Sequence, residues 1–382
     1  MIAIVHDWLL NLRGGEKVLD TVLSLFKEEK VRLFSFFFKK GATTPLIDKV
    51  FCSASFLNSF PFVEKIYRYL LPFFPLAAID LSKKLKGFEA VIQISHCFAK
   101  NVSASIPTLC YVLSPFRGFF DLKELYARGS FLKAYILDKF KNIDQALTDK
   151  SKYYVAISKF VANRFLKAYG FSPQEVLYPP VDLSSIPLRK QPFTRGSFYL
   201  TGGALTENKN FDLVIKVFNK LGLPLLVFGK GPLEGYLKSI SKKNIKFLGY
   251  VSDEELHKLF CDSKAYVFLS IEDFGLSTCE YVASGGPVIG LQNSGTAEII
   301  NDDPDRANWN GFLVKSEESS EIIEACADLI TRLEKDTSLE RDPATLRETV
   351  ERFDQSEFSL RFLELLKKLN FPALKYIAEN CG

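Results

Sequence analysis

The sequence predicts an α/β chain folded as two doubly wound domains, each a parallel sheet covered by helices on both faces. Three observations carry this. Short, continuous apolar runs alternate with amphipathic helical stripes, the pattern of parallel strands buried on both sides. The alternation lapses once, in a polar, prolyl and basic stretch at Leu183–Gly196, and then begins again. The length, 382 residues, suits two domains of about 100–200 residues each.

In chain order, Ile2–Val5 reads as a first strand, and Gly14-Gly15 opens a loop-to-helix turn. Residues 16–26 follow with apolar positions at 18, 19, 22, 23, 25 and 26. Val31–Phe38, Ala90–Ile94, Thr108–Leu113 and Tyr154–Ile157 are further predicted strands. Lys159–Tyr169 is a predicted helix stopped by Gly170. Tyr178-Pro-Pro-Val-Asp182 holds two prolines, which forbid helix and ladder alike. Leu183–Gly196 is the predicted interdomain linker. The second alternation predicts strands at Phe198–Thr201, Leu223–Phe228, Ile245–Leu248, Ala265–Leu269 and Pro287–Leu291. Helices are predicted at Asn210–Leu221, Asp253–Phe260 and Leu276–Ser284. Ser356 is a candidate cap for a last helix with Phe358, Phe362, Leu365, Leu366 and Leu369 on one face. The predicted domains are 1–187, with the helix at about 356–382 available to pack back on it, and 188–355.

Composition narrows the function classes. A chain 47% hydrophobic and 25% charged is globular, which excludes disorder as the dominant state. Most of the 35 phenylalanines are expected in the core. The formal charge of +4 divides unevenly, about +11 over residues 1–190 and about −7 over 191–382. A basic half within a near-neutral whole favours anionic small molecules or a membrane surface over bulk nucleic acid. Seven scattered cysteines show no C-x-x-C and no metal spacing, so free thiols in a reducing cytoplasm are expected. MIAIVHDW reads as a buried strand rather than a signal peptide. Tyr69–Ile79, the most membrane-like run, is too short to span and holds Pro72 and Pro75.

Several residues are placed for chemistry. Gly14-Gly15 between a strand and a helix lets backbone amides approach a phosphate, although such glycines also serve tight turns. Lys209, past Gly202-Gly203 at a predicted helix start, can hold a diphosphate as a point charge or be a solvated surface lysine. Glu272 lies in a loop after a predicted strand, and Glu280 lies in the helix that follows. Phe274, Gly275 and Leu276 lie between them. Two carboxylates so placed suit sugar hydroxyls, while the amides of the helix start suit phosphate. The alternative is a capping Glu272 and a buried, paired Glu280. His96 follows a predicted strand, where a histidine serves acid–base or hydrogen-bonding work unless it is a satisfied structural one. Asp303-Pro-Asp305 reads as a solvated turn rather than a metal site.

The ordered set of blocks resembles the family-4 retaining glycosyltransferases of the GT-B fold, and among them the WbaZ-type mannosyltransferases. The resemblance runs from about residue 3 to about 315. It rests on VHDWLLNLRGGEKVLD, YRYLLPFFPLAAIDL, ISHCFAKNV, CYVLSPFRG, AISKFVANRF and YPPVD in the first half. In the second half it rests on FYLTGGALTENKNFDL, VFGKGP, NIKFLGYVSDEEL and EDFGLSTCEYVASGGPVIG. It implies two Rossmann-like domains facing across a cleft, the first for the acceptor and the second for a nucleotide-sugar donor linked to GDP or UDP. On this likeness Gly14 and Gly15 face the donor diphosphate and Lys209 binds it. Glu272 contacts the donor sugar and Glu280 the ribose. The amides of Phe274, Gly275 and Leu276 lie near sugar and phosphate, and His96 lies beside the reacting sugar. Lys100 and Arg117 are acceptor-side candidates. No metal and no cofactor is implied, and the departing phosphate assists attack on its own face, with positive groups and amides dominating catalysis.

Two departures from the family pattern bear on activity. Relatives carry an arginine five residues before the lysine, where this chain has Ala204, and a histidine where this chain has Leu113. Loss of one charge-assisted contact costs about 1.5–3 kcal/mol, and Lys100 or Lys230 is a candidate substitute. The leading expectation is a hexosyltransferase of cell-surface polysaccharide synthesis, with mannose a candidate sugar and a lipid-linked or glycan acceptor. It would be cytoplasmic, at the inner face of the membrane, with no nucleic-acid partner. The alternative, favoured by Ala204 and Leu113, is a weakly active subunit that scaffolds a partner transferase. A GT-B sugar-nucleotide epimerase is a third reading. Donor-base contacts are expected from backbone near Tyr250 and Val251.

Overall fold

The computed structural model describes residues 1–127 and 129–378. The chain divides into two compact units, Met1–Pro180 with Gln355–Gly382, and Val181–Asp354. The first unit holds β1 (Ile2–Leu9), β2 (Val31–Phe38), β3 (Phe51–Ala54), β4 (Ala90–Ser95), β5 (Thr108–Val112), β6 (Tyr153–Ala156) and β7 (Glu175–Val176). They form one sheet in the order β3-β2-β1-β4-β5-β6-β7, parallel at every pairing. The second unit holds β8 (Tyr199–Gly202), β9 (Leu225–Phe228), β10 (Ile245–Gly249), β11 (Tyr266–Phe268), β12 (Val288–Leu291) and β13 (Gly311–Val314). Their order is β10-β9-β8-β11-β12-β13, again all parallel. Both are doubly wound sheets of the Rossmann-like kind.

Each sheet reverses direction of winding once, between β1 and β4 in the first unit and between β8 and β11 in the second. The loops leaving the carboxyl ends of those strands part to opposite faces there and leave a crevice. In the first unit these are the turn into the helix Gly14–Ser24 and the segment 96–101. In the second they are the segment 203–210 and the segment 269–275. All of the predicted donor residues lie on these four segments or the helix starts they feed.

Three local readings change. The strand predicted at Ile2–Val5 continues to Leu9, because the polar His6 and Asp7 are buried and partnered rather than marking a loop. Leu183–Gly196 is not a free linker. Arg189 within it is buried, and its guanidinium donates to the carbonyls of Phe260 (2.6 Å), Ser263 (3.0 Å) and Ser284 (3.3 Å). The last helix, Gln355–Lys368, begins one residue before Ser356, which therefore lies inside its first turn rather than at the cap.

That helix belongs to the first unit. Phe358 is buried and meets the ring of Tyr111 on β5 edge-on at 5.9 Å, and Lys368 pairs with Glu175 at 2.9 Å. Phe26 and Ile377 form a bridge, and the Lys27 amide donates to the Tyr376 carbonyl at 2.8 Å. The first unit is therefore completed by residues distant in sequence. Phe358→Ala is expected to lower the stability of that unit by about 3–5 kcal/mol. Urea unfolding followed by tryptophan fluorescence reads this directly, since Trp8 reports on the first unit and Trp309 on the second. A loss under about 1 kcal/mol would show that the tail only rests on the surface.

Candidate active site

At the switch point of the first unit, one buried carboxylate organises the backbone. Asp7 Oδ2 accepts from the amides of His96 (2.7 Å) and Cys97 (2.9 Å), and Oδ1 from those of Phe98 (2.6 Å) and Ala99 (2.7 Å). Ser95 Oγ donates to the same carboxylate at 3.3 Å. Four consecutive amides directed at one anion form a nest that fixes the turn after β4. His96 projects from it with Nδ1 3.4 Å from Asp7 Oδ2, and its ring meets Trp8 edge-on at 4.2 Å. Burial pushes the His96 imidazole below its usual range, against the pull of the Asp7 charge.

His6 Nδ1 donates to the Ile94 carbonyl at 2.9 Å, which fixes the neutral tautomer with its lone pair on Nε2. That nitrogen is buried, has no hydrogen-bond partner, and stands 3.8 Å from Glu16 Oε1. Burial raises the Glu16 carboxyl, but the neighbouring His6, with a smaller contribution from His96, outweighs it and holds the group below its usual range. The other Glu16 oxygen accepts from the Arg13 amide at 2.9 Å, closing the entry to the helix Gly14–Ser24. A Cβ at Gly15 would lie 3.0 Å from Leu113 Cδ1 and 3.7 Å from His6 Cε1. Gly15, His6, His96 and Leu113 are thus one cluster.

In the second unit, Lys209 Nζ is paired with Glu272 Oε1, which also accepts from Ser270 Oγ at 2.8 Å. Ser294 Oγ accepts from the Glu272 amide (2.9 Å) and donates to the Ser270 carbonyl (3.1 Å). Asn210 Nδ2 donates to the Leu269 carbonyl at 2.9 Å, tying the segment after β8 to the one after β11. Gly275 starts the helix Leu276–Ala283 at φ +105°, and a Cβ there would stand 2.5 Å from Thr296 Cγ2. Glycine is required on both counts. No side chain caps this helix, so its first-turn amides face the ends of β8 and β11 uncovered by a cap. Glu280 lies one turn further along. Burial pushes the Tyr266 phenol up, and although Ser277 draws it back, the charges of Glu272 and Glu280 both push it further, so both carboxylates lie near that one ring.

The structure therefore brings Gly14, Gly15 and His96 together in the first unit, and Lys209, Glu272, Gly275, Leu276 and Glu280 together in the second. Phe274 is buried with its ring against Phe353 at 5.1 Å, so the side chain anchors the loop. Lys100 is a correction. It is buried, and its Nζ is paired with Asp144 and donates to Asn101 Oδ1 (2.9 Å) and Thr148 Oγ1 (3.0 Å). A lysine so enclosed has no face for an acceptor or a diphosphate. Arg117 opens a short helix, half-buried, near Tyr126. Lys230 is exposed, and its carbonyl accepts from the Leu205 amide at 3.0 Å, which sets it beside the Ala204 loop.

Sequence reasoning missed Asp7, Glu16, Ser270 and Ser294. The available signal was His6-Asp7 itself, two polar residues at the carboxyl end of an otherwise apolar strand, where a doubly wound sheet places its ligand loops. Asp7→Asn keeps the volume but removes one anionic oxygen and turns an NH₂ toward two of the amides. It is expected to cost about 2–5 kcal/mol. Thermal or urea unfolding measures this, and a loss under about 1 kcal/mol would mean the amides find other acceptors.

With this geometry in hand, comparisons with known proteins become informative. Residues 188–345 match the family model described as glycosyl transferases group 1. A mouse GDP-Man:Man(3)GlcNAc(2)-PP-Dol alpha-1,2-mannosyltransferase is 28% identical over 51% of this chain and 44% of its own. An Escherichia coli O-antigen chain mannosyltransferase C is 26% identical over 35% of this chain and 37% of its own. The chain thus spans less than half the length of either relative. The structure of the lipopolysaccharide outer core galactosyltransferase WaaB superposes with a TM-score of 0.69 at 17% identity, over 96% of this chain and 99% of the other. The chain carries a glycosyl transferases group 1 domain, and its two Rossmann-like units have the GT-B glycosyltransferase fold.

Proposed function

We propose that this chain transfers a hexose from a nucleotide-sugar donor to a lipid-linked or glycan acceptor, with retention at the anomeric carbon and without a metal ion. The observation that carries the reading is the Lys209–Glu272 pair set before the uncapped start of the helix Leu276–Ala283. A cation, a carboxylate and a set of amides converge there, which matches a diphosphate beside a sugar. The bond from C1 to the diphosphate breaks, and the acceptor oxygen forms its bond to C1 on the same face. The acceptor proton passes to the departing phosphate oxygen. Lys209 and the helix amides stabilise the negative charge that develops on that phosphate, which is the work a divalent cation does elsewhere. Glu272 receives sugar hydroxyls and Glu280 the ribose. GDP-mannose is the favoured donor, since both relatives named above are mannosyltransferases. Lys230, beside Ala204, supplies the cation that the missing arginine would have given.

A second reading is a weakly active subunit that scaffolds a partner transferase. It is favoured by Ala204 and by Leu113, whose apolar Cδ1 fills the space over Gly15. Calorimetric titration with GDP and UDP separates the two, because a scaffold binds neither.

The deciding measurement is donor turnover by the purified chain with GDP-mannose and UDP-hexoses, with and without chelator. Lys209→Ala and Glu272→Ala are each expected to lower kcat/KM by at least about tenfold to a hundredfold. Lys230→Ala should raise KM, and chelator should leave the rate unchanged. Absence of turnover with every donor and acceptor would overturn the reading.

A further inference from the structure

The helix Phe131–Leu147 packs on the first unit through one side only. Leu137 is buried in the unit's apolar core, with Ala134 and Phe140 partly buried against it. Its opposite side is also apolar. Phe131 is 89% exposed, Leu132 66%, Tyr135 53% and Ile136 39%. Leu132, Ile136, Ile143 and Leu147 recur at helical spacing, a stripe along the outer side. The exposed charges among them are Lys133 and Lys139, and Lys139 Nζ stands over the Tyr135 ring at 5.2 Å. The acidic residues of the helix face elsewhere, Asp138 to Lys123 and Asp144 to Lys100.

A second exposed segment has the same chemistry. Phe62 is 71% and Tyr69 82% exposed, with Lys65 and Arg68 between them. On the helix Phe74–Lys84, the exposed residues Leu76, Ile79 and Lys83 share one face. The two segments meet at Arg68, which donates to the Tyr67 hydroxyl at 3.1 Å and lies within electrostatic reach of Tyr126. Both also close over the same apolar core.

We propose that this surface, the outer side of Phe131–Leu147 with the segment Phe62–Ile79, seats the first unit on an anionic lipid bilayer. Aromatic and aliphatic side chains enter the headgroup boundary while Lys65, Arg68, Lys133 and Lys139 meet lipid phosphates. Charge selects this occupant over a second copy of the chain, because a two-fold contact would set these cations against themselves. Among the described residues no helix is long and apolar enough to cross a membrane, which fits a helix lying in the interface. The surface also adjoins the candidate site. Tyr67 meets the Trp8 ring at 5.4 Å, and Trp8 meets His96 at 4.2 Å. Resting on the transferase reading, an acceptor with a lipid anchor would reach His96 along this path.

Co-sedimentation of the full chain with vesicles tests the proposal and needs no donor, so its outcome is independent of the transferase reading. The chain should bind phosphatidylcholine vesicles containing phosphatidylglycerol, and bind pure phosphatidylcholine weakly. The doubles Phe131→Ser with Tyr135→Ser, and Lys133→Glu with Lys139→Glu, should each weaken binding by at least about tenfold. All four sites are exposed, so the thermal midpoint should stay unchanged. Equal binding to both vesicle types, no binding, or either double binding like wild type would overturn it. Light scattering that shows a dimer dissociated by the aromatic double would overturn it as well, in favour of self-association.

Discussion

A carboxylate with almost no contact with water must be met by donors from the protein, and the structure meets Asp7 with four consecutive backbone amides. That single constraint shapes much of the first unit's switch point. It draws the segment after β4 across the end of β1, so His96 emerges beside Trp8 and His6 rather than into solvent. It also explains why β1 runs past its apolar residues. The strand must carry Asp7 to the place where the amides of a neighbouring strand run out. His6, one position earlier, then falls beneath Gly15, and the glycine turn and the histidine loop become one cluster.

The second unit solves a similar problem with a cation. Lys209 and Glu272 come from opposite sides of its switch point, and neither is held by its own segment alone. Asn210 ties the first segment to the Leu269 carbonyl, and Ser294 and the Gly295 amide hold the backbone of Glu272. The pair is thus placed by the sheet's topology and by loop-to-loop hydrogen bonds more than by helix propensity. A side chain displaced by an ångström here would separate the charge from the helix amides that share its task.

Much of this was legible in the sequence because strand and helix periods leave a local trace. The alternation placed both sheets, and the glycine turns placed the loops that matter. What failed to show was burial set by distant partners. Lys100 reads as a loop cation after a strand, and only Asp144 and Thr148, more than forty residues later, enclose it. Arg189 reads as part of a polar linker, and the carbonyls that bury it lie on segments around Phe260 and Ser284. The helix Phe131–Leu147 was not read at all, since an element apolar on two sides presents no single stripe. The strand Gly311–Val314 was too short to declare itself.

The Lys209–Glu272 pair also bears on selectivity under the proposed reading. An anion that binds Lys209 must draw it from Glu272, and a half-buried carboxylate left without a donor costs about 1–3 kcal/mol or more. A phosphate alone therefore gains one charge-assisted contact and forfeits another. A ligand that brings phosphate and hydroxyl groups together restores both, the oxyanion on Lys209 and the helix amides, the hydroxyls on Glu272 and Ser270. The pair thus favours a nucleotide that still carries its sugar over the nucleotide released after transfer. Once the sugar has left, Glu272 recovers Lys209 as its partner. With Ala204 in place of a guanidinium, little besides Lys230 opposes that recovery. The departure that weakens donor binding also hastens release of the product.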